Sequence, residues 1–297
     1  VHDGLLGSLF ALGAAGLWAV GSVIWARLSR VIPALELNLL KISLALVFFG
    51  LVLGLGGLPW PQFSGPGFGL LLLSGLVGIG LADTCYMVAL RQLGARRALL
   101  LKTLDPPCAA VLSAMFLGET LGIGAWAGIA LTLAGVAWVI RERTGTGQAA
   151  PTPFGLLCGL LAALGQAVGA VLTRAAFVAT DIDPAWGVAM RLTGGLAVVL
   201  LWMGLRREPL FVWRSKPQAP VLFAQVVGAA FLATFVGIWL QQNALKLTAA
   251  GVAQTLSATS PLFVLPIAGR LGEPVSRRAV LGALLSVAGV ALLLVAR

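Results

Sequence analysis

Five ionisable residues stand inside otherwise apolar stretches: Lys41, Asp83, Lys102, Asp105 and Arg191. A charge at the centre of a bilayer costs about 2.5–3.5 kcal/mol on insertion scales, so each needs a partner or a water-filled cavity. Lys102 and Asp105 are three positions apart and share one helix face, which suits an intrahelical pair. That pair either neutralises itself to ease insertion of its helix or stands beside a cavity, where Lys102 attracts an anionic group. Asp83 is a candidate carrier of a coupling proton. Lys41 and Arg191 hold corresponding places in the second helix of two sequence copies, seven residues beyond Ala34 and Pro184. They are expected either to anchor or cap a helix near one mouth or to contact a substrate carboxylate.

Other chemistries lack their residues. The single histidine, His2, lies at the N-terminal end of the sequence, which leaves the apolar stretches without the commonest general base and zinc ligand. Cys85, Cys108 and Cys158 fall in separate stretches without the spacing of a metal or redox pair, and are read as inert thiols. No GxxxxGK[ST] loop is present. No enzyme, cofactor or metal is expected.

Uncharged polar residues gather on the same stretches. Asp83, Thr84 and Tyr86, the only tyrosine, are matched in the second copy by Trp239, Gln241, Gln242 and Asn243, with Tyr86 and Gln241 155 residues apart. Tyr86 and Gln241 are equivalent by that offset and are the expected opposite walls of a cavity. Gln254, Ser257, Thr259 and Ser260 lead into Pro261, as Thr103 and Asp105 lead into Pro106 and Pro107. Proline removes a backbone donor and breaks the helix, so kinks are expected at Pro106, Pro107 and Pro261, serving as gates or as packing features. Trp18 and Trp239 fall well inside their stretches, to stack on a substrate or to face lipid. Trp60 and Trp213 lie in loops, and Trp138, Trp186 and Trp202 near span ends, as interfacial belts require.

The elements that hold these residues follow from composition. The chain has 297 residues, 59% hydrophobic and only 10% charged, with a mean hydropathy of +1.01. Soluble domains carry about 25% charged residues, so the solvent is a bilayer. A crossing helix needs roughly 20 apolar residues. Ten spans are read, at 4–26, 34–55, 67–90, 97–118, 121–140, 154–177, 184–205, 219–245, 249–271 and 277–296. Small residues four apart, such as Gly165 and Gly169, suit close helix contacts.

The spans form two copies. GLLGSLFALGAAG from Gly4 resembles GLLCGLLAALGQA from Gly155, so the first span is not read as a cleaved signal. Ala89-Leu90-Arg91 corresponds to Ala244-Leu245-Lys246 and Pro106 to Pro261 at one offset; Gly118-Glu119 corresponds to Gly272-Glu273 and LTLAGVA from Leu131 to LSVAGVA from Leu285 one residue closer. Five spans per copy means that the second enters the membrane in the opposite sense. The units are 1–143 and 154–297, joined by a linker at 144–153. The fold class is therefore an all-α integral membrane protein of ten helices in two inverted five-helix repeats.

These landmarks, with ATSPLF at 258–263 and LGE at 271–273, resemble the EamA type of the drug/metabolite transporter superfamily. The first copy departs from the pattern with Asp105-Pro106-Pro107. The resemblance implies alternating-access transport of small metabolites across a bacterial inner membrane. Amino-acid or drug export leads, and phosphorylated or other anionic metabolites, or a passive channel, are the alternatives. The substrate-contacting candidates are Trp18, Asp83, Tyr86, Lys102, Asp105, Trp239, Gln241, Gln242, Gln254 and Ser257. A small-molecule substrate and the lipid bilayer are the expected partners, and a monomer suffices.

Net charge is +10. Its basic residues gather in connections after odd-numbered spans: Arg27 and Arg30; Arg91, Arg96 and Arg97; Arg141 and Arg143; Arg206, Arg207, Arg214 and Lys216; Arg270, Arg277 and Arg278. Only Arg174, Lys246 and Arg297 fall on the other side. That is an orientation signal rather than a nucleic-acid footprint, and it puts the odd connections in the cytoplasm and both termini outside.

Overall fold

A computed structural model of the chain describes residues 2–56, 66–117, 122–140, 151–180, 182–206, 211–247, 256–270 and 275–295. The first unit comprises α1 (His2–Leu28), α2 (Ala34–Leu55), α3 (Pro66–Ser74), α4 (Asp83–Lys102), α5 (Asp105–Leu117) and α6 (Ile123–Ile140). The second comprises α7 (Pro153–Ala179), α8 (Pro184–Arg206), α9 (Ala219–Ala229), α10 (Gly237–Leu247), α11 (Ser260–Arg270) and α12 (Arg277–Val295). Among the described residues six stretches are long and apolar enough to cross a bilayer by themselves: Leu5–Leu28, Ala34–Leu55, Gly67–Lys102, Pro153–Thr173, Ala185–Leu205 and Ala219–Gln241. The molecule is an all-α membrane protein built as two inverted repeats. Gln254, Trp60, the two Gly-Glu turns and most of the linker lie outside the described residues.

The third span departs from the sequence reading in two ways. No loop separates it from the fourth: helical hydrogen bonding runs on to Lys102, interrupted at Gly94, whose φ of 79° and ψ of 167° turn the chain in a single residue. An L side chain would be strained at that φ, and glycine is not. Arg91, Arg96 and Arg97 are consequently helical, and Arg96 and Arg97 are buried rather than displayed in a connection. The second departure is that α3 reaches α4 through a π-helical segment, Gly75–Ala82. Its counterpart, Ala230–Val236, joins α9 to α10 and begins 155 residues later.

A π segment widens the helix and frees backbone carbonyls, which inside a membrane must find other donors. In the first copy side chains supply them. Asn38 Nδ2 donates to Ile79 O at 2.9 Å and Gly80 O at 3.2 Å, Thr84 Oγ1 donates to Gly80 O at 2.6 Å, and Gln166 Nε2 donates to Gly78 O at 3.0 Å. In the second, Trp18 Nε1 donates to Ala233 O at 2.9 Å. Ala233 is the repeat equivalent of Gly78. The first helix of each repeat thus braces the π segment of the other.

Glycine lets α8 approach the first π segment. A Cβ on Gly75 would run into the backbone of Arg191, and one on Gly194 into the backbone of Leu72. Neither neighbour is the movable end of a side chain, so this contact fixes the height of Arg191 against the π segment. At the periphery α6 and α12 pair on their own. Thr132 Oγ1 bonds Gly128 O and Ser286 Oγ bonds Gly282 O, both at 2.9 Å, and Gly135 and Gly289 allow the two backbones to meet.

The largest core cluster fills the end of the bundle that carries the odd-numbered connections. It includes Leu28, Ile32, Leu37, Leu90, Leu93 and Val226, and with them Trp213. The reading of Trp213 as a belt residue is therefore corrected: only 2% exposed, it donates from Nε1 to Glu36 Oε2 at 3.1 Å, tying the connection after α8 to the start of α2.

Candidate functional site

A cavity of about 290 Å³ lies at mid-depth, where both π segments and two helix breaks converge. Its walls come from the first four and the sixth to ninth spans; α6 and α12 contribute nothing to it. Of the residues singled out in the sequence, Trp18, Lys41, Asp83, Tyr86, Lys102, Thr103, Asp105, Pro106, Arg191, Gln241, Ser257, Ser260 and Pro261 line it.

The breaks are not where proline alone would put them. The fourth span stops at Lys102, turns at Thr103 and Leu104, and restarts as α5 at Asp105, leaving Pro106 in the first turn of a new helix. There its missing donor has no intrahelical partner to lose. The ninth span turns likewise at Ala258 and Thr259 and restarts at Ser260, ahead of Pro261. The two interruptions are equivalent by the 155-residue offset. Hydroxyls cap the exposed carbonyls: Thr103 Oγ1 to Leu100 O at 2.7 Å, Thr259 Oγ1 to Leu256 O at 2.5 Å and Ser260 Oγ to Ser257 O at 2.9 Å. Pro107 is buried and does not line the cavity.

Lys102 and Asp105 pair at 2.8 Å, yet not within a continuous helix as their spacing suggested: the bond spans the break. The cation closes the C-terminal end of one segment and the carboxylate opens the N-terminal end of the next, each on the favourable pole of its helix. Lys102 Nζ also stands 5.3 Å from the centroid of the Tyr86 ring. In the second copy the equivalent positions are Ser257 and Ser260, so only the first carries charge at its break.

Lys41 and Arg191 both stand on the cavity wall. Lys41 forms an ion pair with Asp83, whose other oxygen accepts from Gln166 Nε2 at 2.6 Å. Asp83 is thereby held by α2 from its own repeat and by α7 from the other. The guanidinium of Arg191 lies beside Gly78, next to Gln166. Tyr86 Oη and Ser22 Oγ share a hydrogen bond at 2.9 Å across α1 and α4.

Trp239 does not line the cavity; it is 52% exposed on the outer face of its helix. Residues two apart are turned by about 200° on an α-helix, so Trp239 and Gln241 cannot both face inward. Ile238 and Gln241, three apart, do. Gln242 is helical, but its side chain lies outside the described residues. Sequence reasoning passed over Ser22, Gln166 and Thr234. Each is a polar residue in an apolar span, the same signal that singled out Tyr86. No group of three or more His, Cys, Asp or Glu residues is placed to hold a metal among the described residues.

The profile of the EamA-like transporter family matches twice, over residues 5–141 and 153–295. One solved structure, titled only as the crystal structure of a protein, superposes with a TM-score of 0.67 at 21% identity over 96% of this chain and 95% of its own, which speaks for the shared fold. No curated protein matches the chain at a significant level.

Proposed function

The chain belongs to the EamA-like transporter family, and on that premise we propose that it moves a small polar or amphipathic metabolite through the central cavity by alternating access, with export of amino acids or similar compounds as its role. Membrane transport of the drug/metabolite kind is the family's function; the substrate, the direction and the residues that bind it are the parts proposed here. One observation carries the reading. Two helix breaks and two π segments, each pair related by the internal repeat, meet around one cavity at mid-depth. Inverted repeats with discontinuous helices at their interface build a site that can face either side as the halves rock.

The packed odd-numbered end supports a direction for that motion. With Leu28, Ile32 and Trp213 each no more than 2% exposed, access from that end requires the cluster to separate. We assign this end to the cytoplasm of a bacterial inner membrane, with both termini outside, on the basic residues that remain in the odd-numbered connections once the buried Arg96 and Arg97 are set aside.

Counterflow in proteoliposomes tests the proposal. Purified protein in vesicles preloaded with unlabelled amino acids, sugar phosphates or organic cations is expected to accumulate the labelled member of one class, saturably. Linear flux without counterflow would make the cavity a channel, and absence of flux for every class would remove the transport assignment from this cavity.

A further inference from the structure

The five ions of the cavity do not balance. Lys41 is paired with Asp83 and Lys102 with Asp105, which leaves Arg191 as the remaining positive charge. Among the described residues Arg191 takes part in no ion pair, and its Nε is buried without a hydrogen-bond partner. Placing a guanidinium at this depth is costly; leaving its buried Nε donor unmet adds to the cost. On the same wall system Ser257 Oγ, 6% exposed, also lacks a partner. Two orphan donors, and the orphan acceptor Asp105 Oδ1, therefore border one cavity that carries a single excess positive charge.

We propose that Arg191 is the anchor for one carboxylate of the transported metabolite, with the rest of the molecule lying along Trp18, Trp25 and Tyr86. The charge count selects the group: one excess positive charge is neutralised by a monoanion, whereas a phosphate monoester would bring close to two negative charges. Geometry agrees, because the planar guanidinium fork receives a planar carboxylate through parallel N–H donors. A cavity of about 290 Å³ is at the small end of ligand pockets and suits a compact acid rather than a nucleotide sugar. The Gly75 and Gly194 contacts hold α8 against the π segment and α3, so the anchor is preset before the ligand arrives.

This anchor deepens the transport reading and is tested apart from it, by binding to the full chain in detergent. The probes are phenylacetate, lactate and L-phenylalanine, each against its own amide, with phenyl phosphate as the dianion, read by thermal stabilisation and titration calorimetry. The native protein is expected to bind at least one of the three acids more tightly than its amide and more tightly than phenyl phosphate. Arg191→Gln is expected to weaken that acid by about tenfold or more, the scale of one charge-assisted hydrogen bond, without weakening the amide. Arg191→Lys keeps the charge and is expected to recover part of the loss. The proposal is overturned if acid and amide bind alike, if none of the acids binds, if the dianion is preferred, or if Arg191→Gln leaves acid binding intact. Counterflow of uncharged compounds with no acid binding would overturn the anchor and spare the transport reading. Arg191-dependent acid binding without any flux would do the reverse.

Discussion

Asp83→Asn is expected to lower stability by about 3 kcal/mol and to reduce transport to background. Asp83 is the counter-ion of Lys41, and side-chain exposure is only 8% for the lysine and 17% for the aspartate. Removing one partner of such a pair leaves the other charge buried without compensation, which costs about 3–5 kcal/mol, and the lower end suits a pair beside a cavity. The amide also turns the charge-assisted bond from Gln166 into a neutral one and so weakens one of the links between the two repeats at this depth. The double substitution Lys41→Met with Asp83→Leu removes both charges together. Replacing a buried pair by apolar residues is often neutral, so the double variant is expected to regain folded yield while still failing to transport. Size-exclusion profiles, thermal unfolding and counterflow separate the two effects. An Asp83→Asn protein with native stability and flux would show that the pair does neither job.

Trp213→Ala carries the second large effect, far from the cavity. The indole is 2% exposed and bonds Glu36, itself 4% exposed, across the odd-numbered end of the bundle. Truncating a buried aromatic side chain to alanine costs about 3–5 kcal/mol, and here a buried carboxylate loses a donor as well. Because Trp213 belongs to the cluster that closes this end, its loss is expected to favour the state open there. The checks are a lower unfolding temperature and faster modification of cavity residues from the odd-numbered face. Unchanged access from that face would mean that closure depends on other contacts.

Hydropathy revealed most of the architecture because lipid demands long apolar helices, and the duplication was visible in landmarks such as Pro106 and Pro261. The five ions stood out for the same reason. Where reading failed, the deciding partners were distant in sequence. Nothing in GLVGIGLA announces a π segment; it is stabilised by Asn38 and Gln166, which come from other helices. The basic residues around Gly94 resembled a loop, yet one glycine turns the chain and Arg96 and Arg97 are buried. Trp213 resembled a belt residue because a loop position says nothing of what covers it. Depth along its span singles out Trp239, while its direction depends on helical phase relative to Gln241. The pairing of Lys41 with Asp83 joins residues in different spans, and spacing along one chain cannot show that.

The central claim is that one cavity serves both faces of the membrane. Gln241 and its repeat equivalent Tyr86 both line that cavity, so Gln241→Cys provides a reporter in a protein whose Cys85, Cys108 and Cys158 are replaced by alanine. A membrane-impermeant thiol reagent applied to vesicles of either orientation is expected to label this position from both faces, more slowly when a transported compound is present. Labelling from one face alone, unaffected by any compound that shows counterflow, would contradict alternating access through this site.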